Sequence, residues 1–238
     1  MKVLMILILF VPIIIFSQEQ KQKWDYPIKP GSEEWRMTSY AEKLALNQLP
    51  NDLTKSLSTS ELLEYCLNYP FNKDILLFNN HNGGFAKVFS ESLCWQEFLK
   101  RPDVLLIFIK SYEKYSSEDI ENIKNIDERY NEMFNVFFLE KLVSETDLVS
   151  TSDPKMRKLL MTSLLSKQEG RKKYPTQYHG FLYWSALSAI MKILKYEDVI
   201  SDDIIENTDY KNLKEKGICY NPDIEASIVS IATKQLEK

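Results

Sequence analysis

The chain is 238 residues long and carries 34 acidic against 30 basic residues, for a formal net charge of -4. A mildly acidic chain is not built as a dedicated binder of nucleic acid or anionic membranes, whose affinity rests on a basic excess. Only six glycines and two histidines occur, which disfavours a turn-rich β-sandwich and excludes a histidine-rich metal centre.

The opening stretch, MKVLMILILFVPIIIFSQEQ, places Lys2 before an unbroken apolar run from Val3 to Phe16, and turns polar at Gln18 after the small Ser17. That is the pattern of a secretory signal peptide, here 1–17, cleaved after Ser17. The run is shorter than the roughly 20 residues of a membrane-crossing helix and contains Pro12, so no stable span is expected after cleavage. Loss of Lys2 would bring the formal charge to about -5 by the same counting. The mature protein is therefore expected in the periplasm or outside the cell. There Cys66, Cys94 and Cys219 meet an oxidising environment, and one disulfide with one leftover thiol is arithmetically possible. The plainer alternative makes Cys66 and Cys94 small buried apolar residues on helix faces. No pair has the two-residue spacing of a zinc or redox site.

Residues 18–31 read as an extended strap in which Pro27 and Pro30 keep WDYPIKPG open. Ser32 is placed as an N-cap with Glu33 and Glu34 in the first turn, and Trp35, Tyr40, Ala41 and Leu44 at helical spacing predict one helix of about four turns. Trp24 and Trp35 are candidates for ligand stacking. The plainer reading has them tie the N-terminal segment down by aromatic packing. Pro50 suits the first position of a short helix to Leu57, and Ser58 with Glu61 forms a capping box for the helix that Pro70 closes. The stretch FNNHNGGF, Phe78 to Phe85, reads as a loop bringing Asn79, Asn80, His81 and Asn82 to a surface. On turn chemistry alone, the asparagines cap and turn the backbone and the glycines supply positive φ.

Helical patterns then run from Phe85 to Phe98 and from Val104 to Tyr115, the latter apolar nearly all round and expected to be central. Ser116 or Ser117 caps a stretch that continues to Val143 as one helix or as two joined near Asp127. Asp153 and Pro154 open another, which ends at Gly170. Arg171, Lys172 and Lys173 beyond it read as a complement to the helix dipole. HGFLYWSALSAIMKILKY, from His179 to Tyr196, is a second strongly apolar core helix. Glu197 to Asp209 reads as a solvated acidic linker, lacking the pattern of a calcium loop, and Asn221 with Pro222 opens the last helix. The fold expected for 32–238 is all-α, an irregular helical-repeat-like stack of antiparallel helix pairs in a single domain.

No nucleophile elbow, phosphate-cradling glycine loop or paired metal-ligating motif is present, so no catalytic residue, cofactor or metal is implied. A glycan hydrolase needs only two carboxylates and stays open as the alternative. Glu91 followed by Ser92 begins like a lytic transglycosylase motif, but Leu93, Cys94, Trp95 and Gln96 depart from it at once.

The head from Trp24 to Gly31 with Glu34 and Trp35, the segment STSELLEYCLNYPF from Ser58 to Phe71, and Gly84 with Phe85 resemble a group of uncharacterised exported proteins of Bacteroidetes-type bacteria. The resemblance covers Trp24 to Asp103 and implies export and a helical fold, with no catalytic residue. The reading is an exported, non-catalytic binding or scaffold module whose partner is a protein or glycan of the cell envelope.

Overall fold

The computed structural model describes residues 24–178, 180–219 and 221–238. The expected signal peptide, the first part of the strap, and His179 lie outside these residues. In chain order the helices are α1 (Glu33–Met37), α2 (Tyr40–Leu46), α3 (Asn51–Ser56), α4 (Thr59–Leu67), a 3-10 turn (Asn72–Leu77), α5 (His81–Glu91), α6 (Leu93–Phe98) and α7 (Val104–Glu113). They continue as α8 (Ser117–Glu121), α9 (Ile126–Glu145), α10 (Pro154–Lys172), α11 (Phe181–Tyr196), α12 (Asp202–Glu206), α13 (Thr208–Lys216) and α14 (Pro222–Leu236). The fold is all-α and a single domain, with no strand among the described residues.

Several boundaries follow directly from side-chain chemistry. Ser58 accepts from the Glu61 amide while the Glu61 carboxylate accepts from the Ser58 amide at 2.8 Å, completing the expected capping box. Asp153 caps α10 and Asn221 caps α14, each with proline at the first helical position. Other boundaries differ from the periodicity. The single four-turn helix is two, because Ser39 accepts from the Glu42 amide and starts α2 afresh. Ser92 likewise divides the Phe85 to Phe98 run by capping α6. Gly170 does not end α10 but sits inside it, where an added Cβ would lie 2.8 Å from the Ser117 hydroxyl oxygen. The acidic linker contains α12 and the start of α13.

The centre of the molecule is α11, which packs against α9, α10, α13 and α14. Its small residues Ser185, Ala186, Ser188 and Ala189 are buried and allow that close approach. The expectation that α7 is the central helix is corrected: Leu106 is 43% exposed, and only the face with Leu105, Phe108, Ile109 and Tyr112 is covered. Aromatic rings fill the space between the early helices and α9. Trp95 stacks on Phe138 at 4.9 Å and Phe85 packs on the same ring at 5.3 Å. Burying each such side chain contributes roughly 1.5–3 kcal/mol.

Within this core lies a charge network. Arg171 donates two bonds to Glu140, at 2.7 and 2.8 Å, and both residues are almost completely buried. The hydroxyls of Tyr112 and Ser185 donate to the two oxygens of the same carboxylate, and Arg171 sits 5.4 Å from the Tyr178 ring. Burial alone would lower the Arg171 pKa, but the Glu140 carboxylate more than offsets this and holds it above its ordinary value. Arg171 is therefore no exposed complement to a helix dipole. It joins α10 to α9 and α11.

Cys66 and Cys94 form a disulfide with their Cα atoms 5.6 Å apart, and Cys219 is a buried free thiol. The two paired cysteines are indeed buried apolar residues on helix faces, but the reading that they stay unpaired is overturned. The C-terminal end of α4 is thereby bonded to α6, and the bond closes a loop with a sequence separation of 28.

Candidate binding cleft

The described part of the strap is held by three kinds of contact. Tyr26 donates to the Tyr65 carbonyl at 2.8 Å, the Ile28 amide donates to the Asn47 side chain at 3.2 Å, and Tyr26 packs on Tyr69 at 5.9 Å. Gly31, at φ 91, turns the chain into α1 in a conformation that a side chain would strain. This anchoring leaves Trp24 half-buried, edge-on to Tyr26 at 4.7 Å and to Tyr65 at 6.2 Å.

Between the strap and the N-terminal half of α9 lies an open cleft of about 830 Å³. One wall carries Trp24, Tyr65 and Asn68, and Phe134 is buried at its base. The opposite wall is one face of α9, where Glu128, Asn131, Glu132 and Asn135 recur three and four residues apart. Asn125 caps that helix, accepting from the amides of Asp127 and Glu128. Lys73 crosses the cleft to donate to Asn131 and lies 5.9 Å from the Tyr130 ring. Four carboxylates, Asp25, Asp127, Glu128 and Glu132, face two lysines, Lys29 and Lys73. The cleft is therefore net acidic and disfavours a polyanionic ligand, while its rings and amides suit a neutral, hydroxyl-rich one.

The residues expected to form a site are dispersed. Trp24 reaches the cleft; Trp35 does not line it but packs on Phe71 at 5.0 Å beneath Lys43. Asn79 is exposed on the turn before α5. Asn80 caps α5 through bonds from the Asn82 and Gly83 amides, so the stretch from His81 onward is helix and not loop. His81 packs edge-on to Phe181 at 4.5 Å, and burial, with Lys141 nearby, lowers its pKa. Asn82 accepts from Lys141 of α9 and donates to the Lys214 carbonyl of α13 at 2.9 Å, pinning three helices together. Neither Gly83 nor Gly84 has positive φ. Gly84 instead allows close approach, since a Cβ there would lie 2.7 Å from the Ile75 carbonyl oxygen.

A second group of carboxylates lies outside this cleft. Glu91 accepts from the Tyr40 hydroxyl at 2.7 Å and from Lys87. Burial would raise its pKa, but these bonds hold it below the usual value, whereas burial and the Glu91 charge push Asp74 up. Among the described residues no cluster of three or more histidine, cysteine, aspartate or glutamate side chains is gathered as for a metal ion, and no helix is long and apolar enough to cross a membrane.

Compared with known proteins, the chain matches no family model, no curated protein and no solved structure.

Proposed function

We propose that this is an exported helical binding protein whose ligand is a neutral glycan held in the cleft between the strap and α9. The observation that carries the reading is the pairing of half-buried Trp24 and Tyr65 with a row of amides and carboxylates on the facing helix. A sugar presents one apolar face to such rings and hydroxyls to such amides. Export is supported by the leader pattern at 1–17, by the Cys66–Cys94 bond, which suits an oxidising compartment, and by the resemblance of residues 24–103 to exported proteins. Asp74, whose carboxyl is pushed up by burial and by the Glu91 charge, does not line the cleft, and the titration below separates binding from hydrolysis.

Calorimetric titration of the mature protein with a panel of soluble cell-wall and plant oligosaccharides tests this. Saturable binding of at least one is expected, weakened about tenfold, or about 1.4 kcal/mol, by Trp24→Ala and by Asn131→Ala. Asn131 is exposed, so its variant separates ligand contact from strap anchoring. Absence of binding across the panel by folded protein overturns the reading, and release of new reducing ends moves the protein to the hydrolases.

A further inference from the structure

A second cleft, of about 440 Å³, opens between α9, α11 and α13 on a different set of residues. Its volume falls within the range of small-molecule sites. Ser188, Met191, Lys192 and Lys195 recur at helical spacing along one face of α11, and Tyr210 and Lys214 come from α13. We propose that this cleft binds an acidic amphiphile, a small molecule with an apolar body and one carboxylate or phosphate head.

The apolar part is offered by Met191 and by the rings of Tyr196 and Tyr210, together with the methylene stems of the lysines. The head is selected by charge. Lys192, Lys195 and Lys214 carry no ion pair among the described residues, although ten other lysines and arginines elsewhere in the fold find carboxylate partners. The single acid in the lining, Glu145, is engaged by the buried Lys141 at 2.8 Å. Three positive charges thus converge on an apolar groove, the reverse of the acidic strap cleft. A second observation comes from Tyr210, which is only 2% exposed and whose hydroxyl has no hydrogen-bond partner among the described residues. A buried donor left unpaired has lost its water without gaining a partner, and an acceptor oxygen on a ligand relieves this. The proposal is independent of the glycan reading, because the two clefts share no residue.

The test is calorimetric titration of the mature protein with dodecanoate, dodecyl phosphate, dodecyltrimethylammonium and inorganic phosphate, each below micelle formation. The expected result is saturable one-to-one binding of the two anionic amphiphiles, at least tenfold tighter than the cationic one or phosphate alone. The double variant Lys195→Gln/Lys214→Gln, at two exposed positions, is expected to weaken that binding at least tenfold with an unchanged melting temperature. Restoring charge with Lys195→Arg/Lys214→Arg recovers it, and the control Lys55→Gln/Lys100→Gln leaves it unaltered. Equal affinity for the cationic amphiphile overturns the proposal, as does non-saturating uptake, phosphate binding as tightly without a chain, or full retention of affinity by the glutamine variant.

Discussion

Residues 24–98 and residues 104–236 solve the same problem, holding helices together, by different physical means. In the first region no helix exceeds 11 residues, too short to gain much from helix cooperativity. Order there depends on cross-links: the Cys66–Cys94 bond, the strap's ring contacts and serine caps on successive short helices. In the second region α9, α10 and α11 have 20, 19 and 16 residues, long enough to bury wide faces and to enclose an ion pair. The first region is therefore sensitive to redox conditions and the second to the loss of a single charge.

The largest effect is expected from Glu140→Ala, which strands Arg171 without its carboxylate. Removing one partner of a buried pair costs about 3–5 kcal/mol, to be read from chemical denaturation, and an unchanged midpoint would show that the network does not hold the long helices. Reduction of the disulfide, or Cys66→Ala/Cys94→Ala, follows at about 3–4 kcal/mol for a loop of this length. Its loss is expected to lower hydrogen-exchange protection in α4 to α6 before α9 to α11, and uniform loss would erase the contrast between the regions.

The third effect is a pH dependence confined to the second region. Burial lowers the Lys167 pKa from 10.5 to about 8, while its ammonium donates to the Tyr115 carbonyl. Below about 8 both folded and unfolded chains carry this proton. Between about 8 and 10.5 only the unfolded chain does, so this group makes stability rise with pH across that window. Thermal unfolding of Lys167→Met should show a smaller rise, since Lys141, also lowered by burial, remains; if wild type and variant show the same pH profile, the assignment fails. The smallest effect is Ser58→Ala, which removes one cap of α4 at about 1 kcal/mol and should move the first region alone.

The parts of the fold that were legible in the sequence are those set by near neighbours. Ser58 with Glu61, Asp153 with Pro154 and Asn221 with Pro222 lie within one helical turn of the groups they satisfy. The apolar run of α11 marked a core helix for the same reason. Ser39 and Ser92 are not legible as breaks because hydrophobic spacing continues across them, and a helix interior serine looks the same in sequence as a new cap. Arg171 and Glu140 stand 31 residues apart, and nothing local distinguishes their charges from those on solvated faces. The strap cleft was half visible: Trp24 stood out as an aromatic, but its facing wall comes from a polar helix face about a hundred residues later, visible only once both segments are placed. Of the asparagine stretch, capping was legible for Asn80, whereas the clamp made by Asn82 needed α9 and α13 in position.

The Cys66–Cys94 bond also makes the chain between those residues a covalent ring. That ring contains the whole of α5, and with it Asn82, the residue that grips α9 and α13. A protease that cuts the backbone once inside the ring therefore yields two pieces that migrate as one molecule until a reductant is added. In an extracellular setting a nick on the exposed turn at Asn79 would leave the protein's connectivity intact, and with it the hold of the first region on the second.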